Sequence, residues 1–259
     1  MLHACVMKKA IQGGNERPAI DIVGVSHSYN GIRVLHDIHL SIPKGEVFGF
    51  LGHNGAGKTT TISILTTLLR QTTGSVRVAG FDTLIDGTEV RRRIGYLPEN
   101  VTFYNDLTAY ENLAYFARLS GVGQVDEKIN ETLAFLDFQG VAHKRLKTFS
   151  KGMRQRIGLA QAIIHDPEVL FLDEPTSGLD PMGIKNLRDI ILRLNRERGM
   201  TIFMNTHLLS EVAKTCTSIG VLNMGKLIYT DTMSRTLERF PDEVSLEEIY
   251  VRMEAFETV

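Results

Sequence analysis

The residues Gly52-His53-Asn54-Gly55-Ala56-Gly57-Lys58-Thr59 satisfy the spacing G-x-x-x-x-G-K-[ST] at every fixed position. They follow the apolar run EVFGFL and precede TTISILTTLLR, so the spacing sits between strand-like and helix-like segments, the context it requires. Glycines let several backbone N–H groups turn inward around a polyphosphate, and the helix that follows aims the positive end of its dipole at the same charge. Lys58 is placed to reach the β and γ phosphates, the Thr59 hydroxyl to ligate Mg²⁺, and Thr60 belongs to the same binding stretch. The other reading of these residues is an ordinary glycine-rich strand-to-helix turn. A phosphate cradle alone leaves kinases, GTPases and many ATPases open.

A second signal lies downstream. Val169-Leu170-Phe171-Leu172-Asp173-Glu174 is a continuous apolar run ending in adjacent carboxylates. In an open α/β sheet the ligand crevice lies outside the carboxyl ends of the strands, which is where this pair falls. Asp173 suits a Mg²⁺ ligand, direct or through water, and Glu174 suits the base that takes a proton from a water attacking the γ phosphate. Alternation along the strand is expected to send the two side chains in different directions. Two solvated carboxylates capping a turn are the alternative.

Between these lies Phe149-Ser150-Lys151-Gly152-Met153-Arg154-Gln155-Arg156. A serine hydroxyl and free N–H groups at a helix N-terminus offer an anion site, although a simple N-capped helix is equally compatible. Here the chain resembles the ATP-binding cassette family, whose signature reads Leu-Ser-Gly-Gly-Gln, a variable residue, Gln and Arg. It keeps Ser150, Gly152, Gln155 and Arg156 and departs at Phe149, Lys151 and Met153. The resemblance covers roughly residues 20 to 230. It implies that Tyr29 stacks on adenine, that Ser177-Gly178-Leu179-Asp180 forms the turn crossing a dimer interface, and that His207 contacts the γ phosphate. Glu99 falls where the family has a glutamine that touches Mg²⁺ or the lytic water, and glutamate keeps an oxygen ligand while adding a negative charge.

The elements that must position these residues are legible from periodicity. Alternating segments fill Ala19 to Leu51, with a turn at Pro43-Lys44-Gly45. The spacing predicts a helix through Ile62, Leu65, Leu68 and Leu69, strands at SVRVAG and RIGYLP, and helices over Asn112 to Leu119, Lys128 to Phe138 and Met153 to His165. Helix Gly183 to Arg198, strand MTIFM, helix Leu208 to Lys214, strand SIGVL and a hairpin through Met224-Gly225 follow. The tail places Leu246, Ile249, Tyr250 and Met253 on one helical face. The fold class is α/β: a phosphate-loop NTPase core with a mostly parallel sheet, an N-terminal antiparallel β-subdomain and an inserted helical subdomain. The expected division is a flexible extension over 1–18, the cassette over 19–231 with its helical insertion at about 101–165, and a helical tail over 232–259.

Composition removes other classes. The 29 Lys plus Arg against 30 Asp plus Glu leave a net charge of -1, so no global field draws the chain to nucleic acid or anionic lipid. Arg91-Arg92-Arg93 reads as a solvated helix end. Cys5 and Cys216 form no disulfide framework, and no apolar run approaches the roughly 20 residues that span a bilayer.

The resemblance implies an ATPase that uses ATP and Mg²⁺, closes head to tail as a homodimer or with a paired cassette, and drives a separate integral membrane permease. That places the chain in the cytoplasm, peripheral on the inner face of the membrane, with no nucleic-acid partner expected. The wording around Glu99, the Ser-Lys-Gly-Met signature and the tail resemble the exporter branch for drugs, lipids or polysaccharides. The competing classes are a soluble cassette ATPase acting on ribosomes or DNA, and a nucleotide-gated switch that barely cleaves ATP.

Overall fold

The structure, a computed structural model, describes residues 17–255. Residues 1–16 of the expected extension and 256–259 of the expected tail lie outside the described residues.

Strands β1 (Ile20–Tyr29) and β2 (Ile32–Ile42) form an antiparallel hairpin turned by Asn30 and Gly31, both at positive φ as such a tight turn demands. β3 (Val47–Leu51) leads into α1 (Lys58–Leu65). β4 (Thr73–Val78) and β5 (Phe81–Asp82) complete a four-stranded antiparallel sheet in the order β2-β1-β4-β5.

After α2 (Gly87–Arg93) and β6 (Ile94–Leu97) come three helices, α3 (Ala109–Leu119), α4 (Val125–Phe135) and α5 (Lys151–Ile163). They pack on one another. Thr108 and Glu111 close a reciprocal capping box at α3, and the fully buried Asn112 holds the incoming chain through Tyr104.

β7 (Val169–Asp173), α6 (Pro181–Arg198), β8 (Thr201–Asn205), α7 (Leu209–Thr215), β9 (Ser218–Asn223) and β10 (Lys226–Thr232) then build the main sheet, ordered β10-β9-β3-β8-β7-β6. All its pairs are parallel except β10 with β9. β3, β7 and β8 are buried along their whole length, which is why they read as unbroken apolar runs. Phe50, Phe171 and Phe203 stack through them with ring centroids 5.2 and 5.7 Å apart, each burial contributing about 1.5–3 kcal/mol before side-chain ordering is subtracted. One apolar core lies on each face of this sheet, one shared with the antiparallel sheet and α1, the other with α3 to α6. α8 (Met233–Arg239) and α9 (Leu246–Ala255) end the chain, and α9 buries Leu246, Ile249 and Met253 as its period requires. Among the described residues no helix is long and apolar enough to cross a membrane.

Three helices stop earlier than their periodicity suggests. α1 ends at Leu65 because Thr66 bonds its hydroxyl back to the Ile62 carbonyl and Thr67 turns left-handed at φ +64, after which Leu68 and Leu69 both donate to the Ser63 carbonyl. Leu68 is consequently exposed. α4 stops at Phe135, and Phe138 lies past Asp137, whose φ is +52. α5 stops at Ile163, before Asp166 with φ +53 and Pro167. α6, by contrast, starts two positions before Gly183, since Asp180 caps it by accepting from the Gly183 N–H at 2.8 Å with Pro181 at the first helical position. The arginine run ends α2, where Arg92 and Arg93 pair with Glu89.

Candidate functional site

The parallel register brings the carboxyl ends of β3, β8 and β7 side by side, with Phe50 beside Asn205 and Asn205 beside Asp173. Each strand delivers a different group to that edge: β3 the glycine loop, β7 the carboxylate pair, β8 the Asn205-Thr206-His207 segment.

The loop wraps tightly because two glycines leave no room for anything larger. A Cβ at Gly52 would stand 2.5 Å from the Leu222 carbonyl oxygen. Gly57 adopts φ +109, and a Cβ there would meet a Leu35 methyl at 2.7 Å. Lys58, only 6% exposed, donates from Nζ to the carbonyls of Gly52 at 2.6 Å and His53 at 3.1 Å. Burial pulls its pKa down, while the negative charges of Glu174 and Asp173 pull it up. The loop after β3 and the acids at the end of β7 share one edge of the sheet. His53, Asn54, Gly55 and Thr59 are exposed, Thr60 is half-buried, and Ala56 is buried. His53 spans from its own loop to the end of β9, with Nδ1 2.8 Å from the Asn54 carbonyl and Nε2 3.1 Å from Asn223 Oδ1. Gly225, in the following turn, donates its N–H to the Ala56 carbonyl at 2.9 Å. The loop is thus clasped from outside by the β9–β10 turn.

Asp173 is buried and accepts a short hydrogen bond from the Asn205 amide. Burial is the largest influence on its carboxyl and raises the pKa. Asn205 works against that shift, Glu174 and Glu99 add to it, and Lys58 opposes it. Glu174 does not continue the strand alternation expected for it. β7 ends at Asp173, and Glu174 turns to φ +46 while its N–H donates to the Asn205 carbonyl at 2.9 Å. The two carboxylates diverge because the backbone turns left-handed, not because successive strand residues point oppositely. The turn aims Glu174 Oε2 at His207 Nδ1, 2.8 Å away.

Glu99 follows β6 and is exposed; its Oε1 accepts from the Ser177 hydroxyl at 3.3 Å. Ser150 is exposed and caps α5, accepting the Met153 N–H at 3.3 Å. Gly152 is half-buried beside it. A groove of about 300 Å³ opens there, with Ser150, Gly152, Met153, Leu179, Asp180 and Asn186 among its walls. Tyr29 is 46% exposed at the end of β1 with its ring edge-on to His27, so it is not a core residue. The structure therefore joins Lys58, Asp173, Glu174, His207 and, through Ser177, Glu99. Tyr29 and Ser150 share no hydrogen bond or ion pair with that group among the described residues. Asn205 and Asn223 escaped the sequence reading as partners of the site. The only available signal was that TIFMN and SIGVLN are apolar runs ending in asparagine at the same sheet edge.

The acceptors at this edge are hard oxygens: the Asp173 carboxylate, the exposed Thr59 hydroxyl and the Glu99 carboxylate. No cluster of three or more His, Cys, Asp or Glu side chains able to hold a metal ion occurs among the described residues. Hard oxygens of this kind are the ligands Mg²⁺ takes, one or two carboxylates beside substrate phosphates.

The ABC transporter family model matches residues 35–177. The uncharacterised ABC transporter ATP-binding protein YhcH of Bacillus subtilis (strain 168) is 43% identical over 212 residues, covering 82% of this chain and 69% of the relative. The bacitracin transport ATP-binding protein BcrA of Bacillus licheniformis is 40% identical over 209 residues, covering 81% and 68%. Both relatives therefore extend well beyond the matched region. A solved ATP-binding subunit of an ABC transporter superposes with a TM-score of 0.82 at 27% identity, over 91% of this chain and 99% of the other. The dimeric structure of MJ0796, a bacterial ABC transporter cassette, gives 0.75 at 26% identity over 83% and 98%. Sequence, fold and family model agree, and the chain belongs to the ABC transporter family, as an ATP-binding subunit of the kind that hydrolyses ATP.

Proposed function

We propose that this subunit closes head to tail on a second cassette around Mg-ATP, cleaves it, and drives a membrane permease of the export type. The observation that carries the reading is that the parallel register sets the glycine loop of Lys58 beside Asp173 and Glu174 at one sheet edge, while Ser150 at the start of α5 stands exposed.

In this mechanism the backbone N–H groups of residues 52–59 and the Lys58 ammonium hold the β and γ phosphates, and Tyr29 stacks on the adenine. Thr59, Asp173 and Glu99 would supply oxygen ligands for Mg²⁺, which when bound would neutralise phosphate charge. Glu174 takes a proton as water oxygen bonds to the γ phosphorus and the bond from that phosphorus to the bridging oxygen breaks, releasing ADP and phosphate. His207 holds Glu174 through Nδ1 and presents its remaining ring nitrogen to the γ phosphate. Ser150 and Gly152, at the N-terminus of α5, meet the γ phosphate of the second cassette's nucleotide. Losing that phosphate removes the contacts that favour closure, and reopening becomes motion of the permease.

We assign the cassette to residues 19–231, its helical insertion to about 101–165 and a helical tail to 232–259. The permease docks on the insertion between Glu99 and Tyr115, which sets the subunit on the cytoplasmic face of the membrane. The likeness to the bacitracin transport protein supports a transport role. Sedimentation of the Glu174→Gln variant tests the core of this reading. With ATP it sediments as a stable dimer and without ATP as a monomer; a monomer under both conditions overturns the head-to-tail mechanism.

A further inference from the structure

Two positions where the chain departs from the family pattern carry opposite charges, Glu99 and Lys151, and both lie against the same turn. Glu99 accepts from the Ser177 hydroxyl. On the next residue a Cβ at Gly178 would stand 2.5 Å from Lys151 Nζ and 3.3 Å from both Cδ and Cε, so the lysine stem lies flat across the glycine. Gly178 adopts φ +67 and has no side chain to interfere. The turn they flank is joined directly to the carboxylate pair, because the Ser177 N–H donates to the Glu174 carbonyl at 3.0 Å and Leu179 to Thr176 at 3.1 Å.

Lys151 occupies a costly place for a cation. It is the first residue of α5, where the helix dipole is positive, and no acid lies in that first turn to offset it. Lys151 forms no ion pair or hydrogen bond among the described residues either. Its structural partner is the turn itself.

We infer that Lys151 is a positioning residue: together with Glu99 it clamps the Ser177–Gly178 turn and so fixes the direction in which Glu174 leaves β7. The inference rests on the proposed role of Glu174, but part of its test does not.

The first arm is amide hydrogen exchange without nucleotide. Lys151→Ala, which removes the stem, speeds exchange at Ser177 and Leu179 at least about tenfold while the amides of β7 keep their protection, and Lys151→Met, which keeps it, restores the parent rate. The second arm is steady-state kinetics of the full chain. Lys151→Ala and Ser177→Ala each lower kcat about threefold with KM for ATP unchanged, and the double variant loses clearly more than the roughly ninefold product, since each support covers for the other. Unchanged exchange at the turn in Lys151→Ala overturns the clamp outright, whatever the turnover. Faster exchange with kcat unaltered refutes the link from the turn to Glu174, and a double variant that is simply multiplicative refutes joint clamping.

Discussion

His207 Nδ1 lies 2.8 Å from Glu174 Oε2, the histidine side chain 57% exposed and the glutamate side chain 12%. A nearly enclosed carboxylate is thereby steered by a group that water and ligand can both reach. The pairing has a local cause: Glu174 leaves β7 at φ +46, and β8 ends one hydrogen bond away through the Asn205 carbonyl. His207→Ala removes the steering group without removing the base. Turnover should fall about 10²-fold, the low end of what a positioned acid–base group contributes, with nucleotide affinity retained. A stopped assay on the purified protein beside a fluorescent-nucleotide titration separates the two quantities.

Lys58 is held inside its own loop by the carbonyls of Gly52 and His53 and lies within the field of two acids. A charge-assisted hydrogen bond is worth about 1.5–3 kcal/mol, so Lys58→Ala is expected to weaken ATP binding roughly 10- to 100-fold. The measurement is the dissociation constant of a fluorescent ATP analogue. Retention of the parent affinity excludes the lysine from the phosphate site.

Gly57 tests the shape of the loop rather than its charge. Its φ of +109 and the Leu35 methyl 2.7 Å from an added Cβ make Gly57→Ala both strained and overpacked. A loss of about 1–3 kcal/mol in a urea titration is expected, with nucleotide binding impaired in the protein that still folds.

Much of this arrangement was legible before any coordinates because it depends on local rules. The loop spacing, the apolar runs of β3, β7 and β8, the Ser150 cap and the close of α6 at Gly199, with φ +62, are each set by a few neighbouring residues. What escaped depends on left-handed residues that are not glycine. Thr67, Asp137 and Asp166 end helices whose apolar period runs on, and Glu174 leaves the strand although alternation continues on paper. Long-range partners were equally silent. Nothing near Asp173 in sequence announces Asn205, 32 positions away, nor does His53 announce Asn223 across 170. Only strand order brings them together.

Glu99 adds negative charge where its carboxylate already raises the pKa of Asp173. Glu99→Gln relieves that repulsion while keeping an oxygen ligand. ATP affinity should be unchanged, and the Mg²⁺ concentration giving half-maximal turnover should shift. Titrating the ATPase rate with Mg²⁺ at saturating ATP checks this, and superimposable curves for parent and variant count against a role for Glu99 at the metal.

Asp173 makes the site costly to the fold when no cation is bound. Burial raises its carboxyl pKa, so between the ordinary carboxylate range and that raised value the native state holds a proton the unfolded chain has lost. Stability from this group is present below the ordinary range and is lost as pH rises through the raised value. Above it, Asp173 is a buried anion compensated by Asn205 and Lys58. Asp173→Asn removes the anion while keeping the shape. The variant without nucleotide should therefore melt higher than the parent at pH 8, each kcal/mol being worth about 2–4 °C in a chain of this size, and the gap should narrow toward pH 4. The same variant should lose ATPase activity. Scanning calorimetry at the two pH values decides it: a variant less stable at pH 8 means that the field of Lys58 outweighs burial, and that Asp173 supports the empty fold instead of straining it.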